Sequence, residues 1–156
     1  MNTVEKLELL NEFLKNNVPE HKFDLEDWRS SNTGNPDIKD HELLNSCGTS
    51  ACAMGWACVI PEFKKLGLEF VRGGICYDNN LGILAITKFF NFDFTDTTRY
   101  LFFIETYRTT EDYLDVSKWE VINRIERLIF YYGREDFKAK AENRFLCEVN
   151  AQLDRD

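Results

Sequence analysis

Apolar residues recur at helical spacing near the start of the chain. Between Val4 and Leu14 they fall three or four positions apart, which is the period of an amphipathic helix. Asn2 and Glu5 have the spacing of a capping box, and Val18-Pro19 would end the helix. The pattern therefore predicts a first helix that runs to about residue 16.

The C-terminal third shows the same period twice. In SKWEVINRIERLIFYYG, Ser117 and Glu120 form a second capping box, and Gly133 marks the helix end. Its predicted core face consists of Ile122, Ile125, Ile129 and Tyr132. In the tail, the predicted core face consists of Phe137, Ala141, Phe145 and Val149. An antiparallel helix pair joined by a short turn follows from these two patterns.

The middle of the chain contains shorter sequence patterns that predict secondary structure. FDLEDWRS and DTTRYLFFIETY are predicted to be short helical segments, and EFKKLG a short helical turn. The alternation in LEFVRGGICY predicts a β-hairpin that turns at Gly73-Gly74. Asp78 is predicted to cap a further helix whose inward residues are Leu81, Leu84, Ala85 and Phe89.

The stretch CGTSACAMGWACVIP, residues 47–61, differs from all the others because it is apolar on every side. Thr49 or Ser50 can cap a helix that Pro61 must end, and a helix without a polar face is a buried one. Ala51 and Gly55 share a face on which a neighbouring helix could approach closely. The predicted fold is mainly α (α+β): a compact multi-helix domain over residues 1–156, around a buried central helix, with one small β-hairpin.

Composition supports a packed globule and narrows the class of protein. The chain has 156 residues, 44% of them hydrophobic and 14% aromatic, which is far from a disordered composition. The N-terminus has no signal-peptide pattern and no run of about eighteen apolar residues occurs, so we expect a cytoplasmic protein. With 19 basic and 27 acidic residues the net charge is −8, which disfavours direct nucleic-acid binding.

The five cysteines and two histidines are candidates for metal binding or for thiol chemistry. The cysteine spacings do not fit the paired spacing of zinc knuckles, so no metal or other cofactor is expected. A nucleophilic Cys47 just before a helix start would have a stabilised thiolate, and His41 is the nearest possible base. This gives one candidate function, a cysteine-dependent hydrolase or transferase.

The predicted helix start beside Cys47 could also bind a ligand without catalysing a reaction. Amides at a helix start form an anion site, to which Cys47, Gly48, Thr49 and Ser50 would contribute. Arginines could add charge and aromatic rings could add a stacking face. The candidates for these two roles are Arg72, Arg99, Arg124, Trp28, Trp56 and Tyr100.

The central motif also carries a resemblance. Seven residues match the pattern Cys-Gly-Thr-x-x-Cys-x-x-Gly-Trp/His-Ala: Cys47, Gly48, Thr49, Cys52, Gly55, Trp56 and Ala57. Together with FDLEDW upstream and NRIERLI downstream, this resembles a group of small uncharacterised proteins common in tailed phages and some bacteria. The resemblance implies an accessory protein, in the cytoplasm of a host cell if it is phage-encoded, and it assigns no catalytic residue.

The favoured interpretation is therefore a non-enzymatic binding protein of phage type. Its partner would be a small anionic ligand such as a nucleotide signal, which it sequesters, or a host protein, which it blocks. A host-takeover or anti-defence role fits this context. The scarcity of histidine and the apolar central helix place this interpretation ahead of the hydrolase with Cys47 and His41.

Overall fold

A computed structural model describes residues 1–107 and 116–154, and shows a helical protein with two small antiparallel sheets. The helices are α1 (Thr3–Asn17), α2 (Asp40–Asn45), α3 (Ala53–Ala57), α4 (Pro61–Lys65), α5 (Gly82–Phe90), α6 (Thr95–Phe102), α7 (Lys118–Tyr132) and α8 (Lys138–Leu153). The strands are β1 (Arg29–Ser31), β2 (Thr49–Ala51), β3 (Glu69–Val71), β4 (Gly74–Tyr77) and β5 (Asn80–Leu81). The α+β class predicted from the sequence is confirmed. The predicted single domain includes residues 108–115 and 155–156, which lie outside the described residues.

Helices α1, α7 and α8 form the main helical layer. The capping box predicted at Asn2–Glu5 makes both reciprocal hydrogen bonds. At the predicted Ser117–Glu120 box, the Glu120 carboxylate accepts from the Ser117 amide at 2.9 Å, and the Glu120 amide donates to the Ser117 carbonyl at 3.2 Å. Helix α7 packs against α1 on one side and α8 on the other. The predicted inward faces hold in part, because Ile129 and Tyr132 are only half-buried and Phe137 precedes α8 with 73% of its surface exposed.

Phenylalanine rings fill the core between α4, α5 and α6. Phe63, Phe89 and Phe90 contact one another edge to face, with ring centroids 4.9 to 6.1 Å apart. Phe92 stacks on Phe90 at 5.4 Å, and Phe102 lies 5.7 Å from Phe90. Edge-to-face and offset pairs of this kind add to the stability already gained by burial. Five of the thirteen phenylalanines therefore form one packed cluster.

Two buried charges fix helix ends in this layer. The Lys118 ammonium donates to the carbonyls of Leu14 at 3.0 Å and Val18 at 2.6 Å, which satisfies the C-terminal end of α1. The Glu142 carboxylate accepts from the backbone N–H of Asp93 and Phe94 at 3.0 to 3.1 Å, ahead of α6. Both side chains are placed by contacts between distant parts of the chain, so no local pattern predicts them.

The segment FDLEDWRS is not helical, contrary to the prediction. A short 3-10 helix, Glu20–Lys22, ends before it, and its last residues form β1, which pairs antiparallel with β2. The amide of Asp24 donates to the carbonyl of Ala51, and the amide of Cys52 donates to that of Asp27, each at 3.1 Å. The distant segment around Ala51 thus satisfies backbone groups that a helix would have satisfied locally.

The buried central segment begins its helix later than predicted. Thr49–Ala51 is strand β2, Cys52 is the N-cap, and α3 spans only Ala53–Ala57, while Pro61 opens α4. Residues 51–60 are nevertheless all buried. The close neighbour at Gly55 is a backbone carbonyl and not a helix: a Cβ there would lie 1.7 Å from the oxygen of Trp28.

The predicted hairpin is present, but it turns one residue earlier and continues into a third strand. Strand β3 pairs with β4, and Arg72 and Gly73 at the turn both have positive φ, as a two-residue type I′ turn requires. A second such turn at Asp78 and Asn79 leads to β5. Because α5 therefore starts at Gly82, Leu81 and Leu84 are exposed, at 67% and 54%, and not inward as predicted.

Candidate functional site

The segment from Cys47 to Ser50 connects the end of α2 to strand β2. Gly48 has φ +76°, and a Cβ there would lie 2.3 Å from Asn32 Nδ2. The Gly48 carbonyl accepts from the Asn32 amide at 3.0 Å. Glycine is therefore required at this position both by its backbone conformation and by the close approach of Asn32.

A cavity of about 380 Å³ opens beside this segment, and we call it the hydroxyl cavity. It is lined by His21, Lys22, Ser30, Ser31, Asn32, Asn45, Ser46, Cys47, Gly48, Thr49 and Ser50. Its volume falls in the range of small-molecule sites, roughly 300 to 1,000 Å³. A smaller cavity of about 200 Å³ lies next to it and shares six of these residues, Ser31, Asn32, Ser46, Cys47, Gly48 and Thr49.

The lining of the hydroxyl cavity is polar and has no carboxylate among the residues that the structure describes, in a chain of net charge −8. Hydroxyl and amide side chains predominate. Ser30 and Ser50 face each other across the β1–β2 pair, with their oxygens 3.0 Å apart. Since hydroxyls and amides can donate hydrogen bonds, this lining suits an anion or a ligand rich in acceptors.

Lys22 provides the fixed positive charge at this cavity. Its side chain is buried, and its ammonium donates to the carbonyls of Leu43 and, at 3.2 Å, of Ser46. The Trp56 ring lies 5.8 Å from the ammonium, and its Nε1 donates to the Lys22 carbonyl at 3.1 Å. Lys22 thereby caps the C-terminal end of α2 and adds positive potential behind the Ser46–Cys47 wall.

Arg29 holds the outer part of this region in place. Its guanidinium is only 4% exposed and donates to the Ile38 carbonyl at 2.8 Å, to the Gly55 carbonyl at 3.2 Å and to Asp40 at 2.8 Å. Asp40 also pairs with Lys64, and these two partners hold the pKa of the Asp40 carboxyl below its usual value in spite of partial burial. Arg29 therefore fastens residues 32–40 to α3.

The ten residues predicted to bind a ligand do not converge on one site. Cys47, Gly48, Thr49 and Ser50 line the hydroxyl cavity, but in a loop and a strand, so the predicted helix-start geometry is wrong. Trp56 is buried, and Trp28 lines a different cavity.

The other four predicted residues have separate surroundings. Arg72 lies at the β3–β4 turn, and Arg99 is exposed on α6. Tyr100 donates to Asn150 Oδ1. Arg124 is half-buried, donates to the Tyr100 carbonyl and has its guanidinium carbon 3.5 Å from the centre of the Tyr107 ring. Burial lowers the pKa of Arg124.

The predicted pairing of Cys47 with His41 has no supporting contact among residues 1–107 and 116–154. Cys47 is exposed and lines both neighbouring cavities, whereas His41 lines neither of them. The His41 carbonyl accepts from Asn45 Nδ2 at 2.9 Å, so only its backbone is engaged there. His21 does line the hydroxyl cavity with Cys47.

The remaining cysteines of the motif are structural. Cys52 caps α3, where its sulfur accepts from the Gly55 amide at 3.4 Å. Burial raises the pKa of the Cys52 thiol to about 11 and raises that of Cys58 further. Neither thiol is poised to ionise near neutral pH. Across the described parts of the chain, no three His, Cys, Asp or Glu side chains lie close enough together to hold a metal ion.

Sequence reasoning missed Lys22, Ser30, Ser31, Asn32 and His21 as members of the cavity. Lys22, Ser30, Ser31 and Asn32 contact residues 46–50 from segments some twenty residues away, as in the Ser30–Ser50 pair, and His21 lines the same cavity. The sequence marked this region only by the unusual composition of residues 47–58, with three cysteines, two glycines and a tryptophan.

Comparisons with known proteins provide no relative from which a function of this site could be inferred. No protein-family model matches the chain, and searches of curated proteins and of solved structures found no significant match. In the described ranges, none of the helices has the length and apolar character needed to cross a membrane.

Proposed function

We propose that this protein binds a small anionic molecule of nucleotide-like chemistry in the hydroxyl cavity, without converting it. The observation that carries the proposal is that no carboxylate lines the cavity among residues 1–107 and 116–154, although the chain has eight more acidic than basic residues. Hydroxyl and amide donors, with the Lys22 ammonium behind them, offer an anion favourable interactions, and the described carboxylates nearest this lining, such as Glu42, belong to adjoining cavities.

Binding without turnover is favoured by the surroundings of Cys47. Nucleophilic catalysis needs a base within hydrogen-bond reach of the thiol, and no contact in the described residues joins Cys47 to a histidine. The resemblance of residues 47–57 to the phage-type pattern supplies the context. In that context, sequestration of a nucleotide signal as a host-takeover or anti-defence factor is the proposed role.

The first experiment compares native and denaturing mass spectrometry of protein purified gently from cells. A co-purifying mass of a few hundred daltons that is lost on denaturation supports sequestration and identifies the ligand. Protein that carries no such mass, and that binds neither adenosine monophosphate nor inorganic phosphate in calorimetric titrations, contradicts the proposal.

An isosteric charge variant locates the binding site. Asn32→Asp keeps the shape of a lining residue whose side chain makes no hydrogen bond within the described residues, and it places a negative charge in the cavity. Repulsion should weaken binding of the identified anion by at least about tenfold, or about 1.4 kcal/mol. The matched control is Asn79→Asp, which adds the same charge at an exposed turn. Equal losses in both variants would show that net charge, and not this cavity, governs binding.

Cys47→Ala separates binding from catalysis. A binding protein should keep most of its affinity, because the cavity has several other donors. Turnover of the co-purified ligand by the wild type, abolished in Cys47→Ala, would instead establish the cysteine-dependent hydrolase.

A further inference from the structure

A second cavity, of about 220 Å³, lies on the other side of residues 25–28 and has the opposite chemistry. Three carboxylates, Glu26, Asp27 and Glu105, and three aromatic residues, Trp28, Phe102 and Phe103, line it. We call it the aromatic-acidic cavity. Among its described lining residues there is no lysine or arginine, so the three carboxylates have no basic neighbour within the cavity.

The aromatic walls are arranged at a corner. The rings of Trp28 and Phe103 have centroids 5.4 Å apart and meet at 88°, so two aromatic faces lie at right angles. Aromatic faces attract cations through their quadrupole, and the attraction is strongest for tryptophan. Carboxylates beside such a corner complete the charge complement for a cation on an apolar stem.

The carboxylates have no ion-pair partner in the part of the chain that the structure describes. Glu26, Asp27 and Glu105 form no ion pair with any residue of the described ranges, and Glu26 and Asp27 are exposed beside the half-buried Trp28. Other exposed acids of the chain, such as Asp78 and Glu126, do pair with lysines, at 3.0 and 2.8 Å. Among residues 1–107 and 116–154, the negative potential of the cavity is therefore uncompensated.

We infer that the aromatic-acidic cavity accepts a lysine or arginine side chain of a polypeptide partner. The small volume suits one basic side chain better than a whole metabolite, since small-molecule sites usually begin near 300 Å³. A larger hollow of about 420 Å³ adjoins it, sharing Leu25, Glu26 and Ile104 and adding Glu20 and Asp24. This hollow gives the flanking part of a basic peptide a place to lie. The inference does not depend on ligand binding in the hydroxyl cavity.

The test uses fluorescence anisotropy with a labelled peptide of alternating arginine and leucine, at about 0.15 M ionic strength. The neutral counterpart carries glutamine in place of arginine. The full-length protein should bind the arginine peptide and bind the glutamine peptide at least about tenfold more weakly. Absence of arginine-peptide binding overturns the inference.

A charge-matched pair of variants tests the location. The triple variant Glu26→Gln, Asp27→Asn, Glu105→Gln should lose at least about tenfold in affinity for the arginine peptide. The control, Glu8→Gln, Glu69→Gln, Asp136→Asn, removes the same three charges at exposed positions that form no ion pair within the described residues. It should lose less than about twofold. Equal losses would mean that the peptide follows overall charge, which overturns the inference.

Two further measurements separate the aromatic corner from the charge and the peptide from a free cation. Phe103→Leu keeps the apolar volume and removes one aromatic face, so affinity should fall by about threefold or more while thermal unfolding confirms the fold. Free arginine amide should compete only weakly. Competition by arginine amide at the concentration of the peptide, or unchanged affinity in Phe103→Leu, contradicts the inference.

Discussion

The hydroxyl cavity and the aromatic-acidic cavity differ in their chemistry, although the same two segments contribute to both. Residues 47–50 line the first, and Cys52 lines the second; on the facing segment, Ser30 and Ser31 line the first and residues 25–28 line the second, which residues 102–105 complete. The first is hydroxyl-rich and has no carboxylate among its described lining residues, and the second is aromatic and acidic. The net charge of −8 does not describe the local charge of either cavity. Charge matters for recognition through its distribution over the surface.

The contrast depends on the contact between Gly55 and the backbone of Trp28. Trp28 forms a wall of the aromatic-acidic cavity, and β1, which starts one residue later, carries Ser30 and Ser31 into the hydroxyl cavity. A Cβ at Gly55 would lie 1.7 Å from the Trp28 oxygen. Any side chain there must therefore displace the segment from which both cavities are built.

The largest effect is expected from Gly55→Leu, which should break both cavities together. Overpacking against a backbone carbonyl cannot be relieved by a rotamer change, so the free energy of unfolding should fall by about 3 kcal/mol or more. Urea unfolding measures this fall, and binding at both cavities should be lost with it. Gly74→Ala is the control, because a Cβ there has its nearest neighbour at 4.0 Å. A Gly55→Leu protein as stable as Gly74→Ala would contradict the packing described here.

The two cavities can also be compared through their cysteines, because one cysteine lines each cavity. Cys47, at the hydroxyl cavity, is exposed, whereas Cys52, at the aromatic-acidic cavity, is buried. A disulfide reagent should modify Cys47 and the exposed Cys147 in the folded protein, and Cys52 and Cys58 only after unfolding. Peptide mapping of the labelled protein identifies the sites. Labelling of Cys52 as fast as Cys47 would show that the buried side is open.

Stability should also depend on alkaline pH through the buried thiols. Burial raises the pKa of Cys52 from 9.0 to about 11, so the folded protein keeps a proton that the unfolded chain releases. The stabilising contribution is complete below pH 9.0 and is lost as pH rises to about 11. The loss is about 1.4 kcal/mol per pH unit for each such thiol. Urea unfolding across this range should show a smaller pH dependence in Cys52→Ala than in the wild type.

Features that depend on neighbouring residues could be predicted from the sequence, and features that depend on long-range contacts could not. Helices α1 and α7 were predicted with their caps, because a capping box is complete within four residues. Strands β1 and β2 were missed, because Ser30 and Ser50 pair across twenty positions and neither segment alternates clearly. The helix predicted at FDLEDWRS failed for the same reason: pairing with a distant strand outweighed local propensity.

For the candidate site too, part of the prediction agrees with the structure and part does not. Residues 47–50 were singled out by the composition of one short stretch, and they do line a cavity, although in a loop and a strand and not at a helix start. Arg72, Arg99 and Arg124 were assigned to the site by residue type alone, and tertiary structure placed them on a hairpin turn, on the exposed side of α6 and against the Tyr107 ring. Leu81 and Leu84 turned outward because an additional strand shifted the start of α5.

The smallest effect is expected at the Ser30–Ser50 hydroxyl pair, in the wall of the hydroxyl cavity. A half-buried hydroxyl pair contributes little net stability, since water can replace either partner, so the coupling energy should be about 0.5 kcal/mol. A double-mutant cycle of Ser30→Ala, Ser50→Ala and the double variant measures it by urea unfolding. Affinity for the anionic ligand should fall more than stability does, because both hydroxyls face the cavity. Loss of stability without loss of affinity would assign these serines to the β1–β2 pair alone and remove them from the binding surface.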